Sequence, residues 1–177
     1  MAQEFAAAYR SLPWAAAFVS PMKRTLATAK PLCDAVGLPM QRRDGLKEVG
    51  YGDWEGLTPE EVQTQFPNDY INWLTEPAWN APTGGETAVE VATRASQVVA
   101  QIVAEQVSGN VLIVSHKATL RLILCSLLGI DLGRYRDRLS APTASLSVVS
   151  FGVHGPLLET LGDRSHLSEA LRARPGT

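Results

Sequence analysis

Two segments of the sequence place polar side chains directly after an apolar run that predicts a buried strand. The first run, residues 111–114, is followed at once by Ser115, His116 and Lys117 and then by a helical pattern. The first turn of such a helix has free N–H groups and a positive dipole end, which suit an anion such as phosphate. His116 would add a hydrogen-bond donor and Lys117 a positive charge. The alternative is a histidine that only caps the helix or packs under a loop.

The second segment, residues 15–20, is a short apolar run that ends in Val19 and is followed by Ser20. Pro21 follows it and favours the start of a helix, so Arg24 is predicted in the first turn of that helix. A guanidinium group at this position can make two parallel hydrogen bonds to a phosphate. The alternative is an arginine that lies in solvent on the protein surface.

The third candidate is the loop of residues 44–57, which combines four glycines with carboxylates and a tryptophan. Glu48 lies among apolar and small residues, where partial burial favours a role as general acid. In the alternative interpretation, Asp53 and Glu55 are solvated and Trp54 belongs to the core. The composition of the loop nevertheless predicts a shaped site.

These segments need a sheet that brings the ends of its strands together. Residues 86–106 form the clearest helical pattern, and Glu86 at their start is interpreted as complementing the helix dipole. Further elements are predicted as helices at residues 1–12, 22–36 and 117–128 and as a hairpin of residues 146–151 and 157–161. The alternation of buried strands and helices predicts an α/β fold with a mostly parallel sheet, whose ligands bind at the carboxyl ends of the strands.

Length and composition fit one domain over residues 1–177, with a polar tail from residue 164. The chain has 16 basic and 18 acidic residues, and its net charge of −2 argues against nucleic-acid or anionic-membrane surfaces. Cys33 and Cys125 stand at no metal-ligand spacing, so we expect no metal site. We expect a cytoplasmic protein, because no apolar run is long enough to span a membrane and the N-terminus carries no secretory pattern.

Four short motifs occur in a defined order along the chain. They are Ser20-Pro21-x-x-Arg24-x-x-x-Thr28-Ala29, Leu46-x-Glu48-x-x-x-Gly52-x-Trp54-Glu55-Gly56, Gly84-Gly85-Glu86, and Val114-Ser115-His116 before a helix. Together they resemble the histidine phosphatase superfamily in its phosphoglycerate mutase-like branch, and the resemblance runs from Met1 to about Leu161. It implies a three-layer α/β sandwich with a mostly parallel central sheet flanked by helices.

The resemblance also implies a chemistry, which is phosphoryl transfer through a phosphohistidine. Arg24 matches the family's second arginine and His116 its second histidine, which hold the phosphoryl oxygens, and Glu48 matches the glutamate that protonates the leaving group. Pre-organised cations of this kind stabilise the charge that develops on the transferring phosphoryl group. The family's phosphatases need no metal or organic cofactor. The other positions expected in the site are Ser20, Trp54 and Glu55 in the substrate pocket and Lys117, which either contacts the phosphate or a substrate carboxylate or points to solvent.

One part of the family pattern is missing from this sequence. The family's nucleophile stands in an Arg-His-Gly motif at the end of its first strand, whereas the three histidines here are His116, His154 and His166. His154 is interpreted as a turn residue. The resemblance therefore implies that the first strand is missing, that Met1 is an internal methionine, and that the chain by itself is inactive or very weak. Lys117 is a second departure, since the family commonly has glycine there.

The predicted function is that of a phosphomonoesterase acting on a small phosphorylated metabolite. Residues 66–82 either shape its pocket or pack their aromatic side chains against the long helix. One alternative is a non-catalytic family member that binds phosphate or a partner. Others are a phosphoglycerate mutase, which is disfavoured because the glycolytic mutases carry extra segments, and an unrelated α/β binding module. We expect no nucleic-acid or membrane partner, while unpaired sheet edges would favour a homo-oligomer.

Overall fold

A computed structural model describes residues 1–106 and 108–174 of the chain. The helices are α1 (Ala2–Tyr9), α2 (Lys23–Val36), α3 (Pro59–Gln65), α4 (Pro67–Thr75), α5 (Ala88–Glu105), α6 (Lys117–Leu128), α7 (Tyr135–Arg138) and α8 (Glu169–Arg172). The strands are β1 (Trp14–Val19), β2 (Met40–Arg42), β3 (Asn110–Val114), β4 (Leu146–Gly152) and β5 (Gly155–Asp163). Short 3₁₀ turns lie at Asp44–Leu46, Gly52–Trp54 and Leu132–Arg134. The last of these turns and α7 were not predicted from the sequence.

The central sheet has three parallel strands in the order β2-β1-β3. β1 lies in the middle, and its side chains alternate between the two faces as the pleat of a strand requires. Ala17 and Val19 pack into a cluster with α1 and α2. Ala16 and Phe18 pack into a cluster with α5 and α6 on the opposite face. The predicted α/β fold, with a parallel sheet flanked by helices, is therefore confirmed.

The remaining two strands, β4 and β5, form the predicted hairpin as a separate antiparallel sheet. Val149 and Leu158 of the hairpin pack against a buried cluster that includes Val91 of α5 and Leu122 of α6. Within the described residues β3 pairs with β1 alone. The absence of a first strand stays a prediction.

The predicted glycine signals at helix ends are confirmed, whereas other predicted ends are wrong: α1 ends at Tyr9 rather than at residue 12, and Pro21 precedes the N-cap Met22 of α2 instead of opening the helix. Gly37 and Gly129 terminate α2 and α6 with φ angles of 69° and 67°, a left-handed conformation that glycine adopts without strain. The predicted start of the long helix at Glu86 is wrong, because Thr87 forms a capping box with Glu90 and the helix begins at Ala88. Glu86 therefore precedes the helix, and its side chain is available for other contacts.

The tail predicted from residue 164 is in part packed against the domain. The Leu167 side chain is 2% exposed, and the Ser168 N–H donates to Glu4 Oε2 of α1 over 2.7 Å. The predicted frayed end of the chain lies outside the described residues. None of the helices in residues 1–106 and 108–174 is long and apolar enough to cross a membrane.

Candidate active site

The carboxyl ends of β1 and β3 bring two of the predicted site residues together. Val19 and Val114 are register partners in these neighbouring parallel strands, and the Ser20 N–H donates to the Val114 carbonyl over 2.9 Å. The residues that follow each strand therefore meet at one edge of the sheet. There, Ser20 Oγ lies 2.8 Å from His116 Nε2.

Arg24, in the first turn of α2, contacts the same imidazole from the other side. Its Nε donates to His116 Nδ1 over 3.1 Å. Because a guanidinium only donates, Nδ1 is an acceptor, and the ring proton resides on Nε2 and points to Ser20 Oγ. Both ring nitrogens of His116 are thus engaged, and the side chain is 6% exposed.

The charges around His116 act on its protonation in opposite directions. Burial lowers its pKa below the ordinary value of 6.5, Glu48 raises it, and Arg24 and Arg94 lower it. The net effect is a lowered pKa, because desolvation penalises the imidazolium. His116 is therefore neutral at pH 7, in agreement with the acceptor role of Nδ1.

Glu48 reaches the N-terminus of α6 from the loop of residues 44–50. Its Oε1 accepts from the N–H groups of Val49 and Thr119 over 3.1 and 3.2 Å, and its Oε2 lies 3.4 Å from the Ala118 nitrogen. The sequence predicted that free N–H groups of this helix would hold a phosphate. That prediction is wrong for Ala118 and Thr119, because the Glu48 carboxylate is the anion that occupies them.

The site opens into a cavity of about 1140 Å³. Two groups of residues form the sides of this cavity, and we name them the polar floor and the aromatic wall. The polar floor is residues 44–50, which carry Glu48, and the aromatic wall is the set Tyr51, Trp54, Tyr70 and Trp73. Arg24 and Glu55 also line the cavity. The structure thus brings Arg24 and Glu48 to one cavity, with His116 buried directly behind Arg24.

The aromatic wall is a contact network of rings from two segments. Trp54 meets Trp73 edge to face at 5.5 Å between centroids, and Tyr70 stacks on Trp73 at 6.4 Å. The Arg136 guanidinium lies 3.9 Å from the centre of the Trp73 ring. Tyr70 and Trp73 belong to α4, so the predicted pocket segment of residues 66–82 contributes a helix to the cavity.

Other predicted residues lie at the margin of the site or away from it. Ser20 is completely buried behind His116, and Lys117 is exposed at the start of α6. Neither is among the described residues that line the cavity. His154 is exposed in the hairpin turn, and His166 packs against Phe5 and Tyr9 of α1.

Two functional residues were missed or misread from the sequence, namely Arg94 and Glu86. Arg94 of α5 donates from Nε and Nη2 to both carboxylate oxygens of Glu86, over 2.8 and 2.9 Å. Glu86 is thus an ion-pair partner, which the dipole interpretation did not foresee. The available signal was position, because Arg94 stands three residues after Val91 and four before Val98, beside the buried stripe of the helix.

Comparisons with known proteins give consistent results. The family model described as Histidine phosphatase superfamily (branch 1) matches residues 1–164. Phosphoserine phosphatase 1 of Hydrogenobacter thermophilus is 30% identical over 152 residues, which are 86% of this chain and 72% of that protein. Glucosyl-3-phosphoglycerate phosphatase of Mycolicibacterium vanbaalenii is 32% identical over 123 residues, 66% of this chain and only 54% of that protein. The solved structure of Bacillus stearothermophilus YhfR superposes with a TM-score of 0.87 at 25% identity, covering 93% of this chain and 82% of that one.

Proposed function

The chain belongs to the histidine phosphatase superfamily, and we propose that its cavity is the active site of a phosphomonoesterase acting on a small phosphorylated metabolite. The observation that carries the proposal is the convergence of Arg24 and Glu48 on one cavity, with His116 held against Arg24. A cation that binds the phosphoryl oxygens and a carboxylate that transfers a proton are two of the groups that hydrolysis of a phosphomonoester uses.

Arg24 is the proposed phosphate ligand. Its Nε is used by His116, whereas its two Nη groups have no hydrogen-bond partner among the described residues and stand on a side chain that lines the cavity. These Nη groups offer donors in a planar fork that matches two phosphate oxygens. The bond to His116 restricts the guanidinium, so the donors are pre-oriented before a phosphate arrives.

Glu48 is the proposed acid and base. As an acid it gives a proton to the ester oxygen while the P–O bond to the alcohol breaks and the phosphoryl group passes to the nucleophilic histidine of an Arg-His-Gly segment, which this sequence does not contain. As a carboxylate it then takes a proton from the water that attacks phosphorus, which frees the histidine and releases phosphate. The N–H groups of Val49 and Thr119 hold the carboxylate in one place for both steps.

His116 itself is a poor candidate for the phosphoryl acceptor. Its Nδ1 accepts from Arg24 and its Nε2 faces Ser20, so neither nitrogen offers a free lone pair to phosphorus. His154 and His166 are absent from the described cavity lining. We therefore propose that His116 acts on the phosphate through Arg24, which it holds, and we keep the prediction that the nucleophile belongs to an Arg-His-Gly segment.

The aromatic wall supports a choice among substrates. Tyr51, Trp54 and Trp73 line the cavity, and their aromatic surface favours an alcohol half with a ring or an extended apolar surface. The relatives named for phosphoserine and for glucosyl-3-phosphoglycerate support a small phosphorylated metabolite. We propose a ring-bearing phosphomonoester within that class.

Phosphate binding tests the assignment of Arg24. Titration calorimetry of the 177-residue chain with inorganic phosphate should give saturable binding, and Arg24→Gln should weaken it about 10- to 100-fold, the value of a charge-assisted hydrogen bond or two. Arg10→Gln, at an exposed arginine just after α1, is the matched control and should bind as the parent does. Equal affinity of the Arg24 variant and the parent would refute the assignment.

A second candidate function is phosphate binding without turnover, favoured by the histidines available in this sequence. Hydrolysis of an aryl phosphate separates the two functions. We expect turnover only when the chain is extended at its N-terminus by a strand that carries Arg-His-Gly. Equal turnover by the 177-residue chain would contradict our assignment of His116. Phosphate binding without turnover in either form would favour the non-catalytic function.

A further inference from the structure

Side chains from outside the polar floor hold four consecutive backbone carbonyls of the floor. The carbonyl of Leu46 accepts from Ser115 Oγ over 2.7 Å, and that of Lys47 lies 2.7 Å from Thr119 Oγ1. The carbonyls of Gly45, Lys47 and Glu48 all accept from one guanidinium, that of Arg94, over 2.7, 2.9 and 3.0 Å. The segment that carries Glu48 is thus held at every residue from 45 to 48.

Arg94 uses its full donor capacity in this arrangement. An arginine has five N–H groups in a fixed fork. Nε and one Nη2 donor bind the carboxylate of Glu86, the other Nη2 donor binds the Glu48 carbonyl, and the two Nη1 donors bind the remaining carbonyls. A lysine at this position would keep the charge and lose the fork.

Glu86 fixes the orientation of the guanidinium. Burial alone would raise the pKa of Glu86, but hydrogen bonds from Arg94 and from the Gly50 N–H outweigh burial and hold the pKa below its ordinary value. The Gly50 N–H donates to Glu86 Oε2 over 2.9 Å, and the Glu86 N–H donates to the Gly50 carbonyl over 2.8 Å. Glu86 therefore joins the far end of the polar floor to the start of α5.

Close packing allows Arg94 to reach the floor from α5. A Cβ added to Gly45 would lie 2.6 Å from Val98 Cγ2 and 2.7 Å from the Arg94 carbonyl. No side chain fits between the floor and the helix backbone at this point. The glycine therefore brings the floor within direct hydrogen-bond reach of the guanidinium.

We propose that Arg94, oriented by Glu86, is a positioning residue that sets where the Glu48 carboxylate stands at the N-terminus of α6. The inference rests on the proposed function in giving Glu48 the proton-transfer role. Arg94 binds the Glu48 carbonyl, and the next residue, Val49, donates its N–H to the carboxylate. Moving the backbone at residue 48 therefore moves the carboxylate away from its donors on α6.

The pKa of His116 depends on how near the Glu48 carboxylate lies, so its titration detects a displacement of Glu48 without an activity measurement. Three charged groups act on this imidazole, namely Arg24 and Arg94, which lower its pKa, and Glu48, which raises it. If Arg94→Lys keeps the positive charge but releases Glu48, His116 loses the influence that raises its pKa. If Arg94 merely holds the loop to the helix, the same substitution changes stability and leaves the titration midpoint in place.

The experiment is a double-mutant cycle followed by proton NMR of the imidazoles in phosphate-free buffer. Arg94→Lys should move the His116 midpoint to lower pH in the parent chain and should leave it unchanged in a Glu48→Gln background. Spectra of His154→Gln and His166→Gln assign the signals. Arg164→Lys is the matched control, because Arg164 also donates to two backbone carbonyls, those of Leu171 and Arg172, far from the cavity. This substitution should leave the His116 titration midpoint unchanged.

Glu86→Gln gives a second route if Arg94→Lys does not fold, as judged by circular dichroism. Glu86→Gln also removes a charge, which by itself can shift the His116 midpoint. Only the part of the shift that disappears in the Glu48→Gln background is evidence that Glu48 has moved. An equal midpoint shift in both backgrounds, or none in either, would overturn the proposal. A failure of the proposed function would instead appear as absent phosphate binding in the parent chain, which the imidazole titration does not measure.

Discussion

The polar floor and the aromatic wall enclose the same cavity but are held in place by different forces. The carbonyls of residues 45–48 all accept directional hydrogen bonds, chiefly from Arg94. The wall depends on ring contacts with interplanar angles from 27° to 81°, and the indole Nε1 of Trp54 has no hydrogen-bond partner among the described residues. One side is specified by polar geometry and the other by shape.

This difference separates two requirements of the site. Proton transfer and phosphate binding need atoms held to within a fraction of an ångström, which a satisfied hydrogen-bond network provides. Recognition of an alcohol half needs apolar area, and ring packing tolerates substitutions of similar volume. We infer that substitutions in the aromatic wall can change which substrate the cavity accepts, while the polar floor continues to carry out the same proton transfer.

The largest expected effect is on stability, through the wall. Trp54→Ala should lower the free energy of unfolding by about 3–5 kcal/mol, because the ring is buried and its removal leaves a cavity. Urea denaturation measures the change. Trp79→Ala is the control, since that ring is 73% exposed, and it should cost less than about 0.5 kcal/mol. Similar losses in the two variants would contradict a wall held by packing.

The next effect is on the packing of the floor against α5. Gly45→Ala should cost about 1–3 kcal/mol, because its Cβ would overlap Val98 and the backbone of Arg94. Gly152→Ala, at the end of β4, places its Cβ in open space and should have almost no effect on the urea midpoint. A Gly45 variant as stable as the Gly152 variant would show that the floor yields easily.

The sequence was informative about which residues belong to the site and much less so about the contacts that hold the floor in place. Ser20 and His116 were each predicted at the carboxyl end of a strand, where ligands of α/β sheets bind. Their 2.8 Å contact requires in addition that β1 and β3 are neighbours, which the structure shows. Arg94 was not identified, because its partners lie between eight and 49 residues away. Nothing local in a sequence specifies contacts of such range.

The N-terminus of α6 shows the same limit in another form. The helix pattern predicted that the first turn of α6 offers N–H groups to an anion, and those of Ala118 and Thr119 do face one. It did not identify the anion, and the Glu48 carboxylate stands where phosphate was expected. Physical rules predicted the charge, whereas the identity of the partner depends on how the floor folds back over α5.

A smaller effect is expected from acid on the ion pair that orients the floor. The pKa of Glu86 is lowered in the folded chain, so its pair with Arg94 adds stability above the ordinary pKa of 4.5. That stability is lost as the pH falls below 4.5 through the folded pKa. Glu86→Gln should lower the free energy of unfolding by about 1 kcal/mol at neutral pH. It should also make stability decrease less steeply as the pH falls. Urea denaturation midpoints across the pH range measure both effects. If the Glu86→Gln variant loses stability with falling pH as steeply as the parent does, other carboxylates are responsible for the loss.

The smallest expected effect is the electrostatic contact between floor and wall. Burial and the Glu48 charge raise the pKa of Tyr51 above 10.0, while Arg136 lowers it. Glu48→Gln should therefore bring the Tyr51 pKa down toward 10.0, because the phenolate loses a neighbouring negative charge. Tyrosinate absorbance measures this once the Tyr51→Phe titration is subtracted. An unchanged Tyr51 midpoint would mean that the wall does not sense the charge on Glu48, and the two sides of the cavity would then be electrostatically independent.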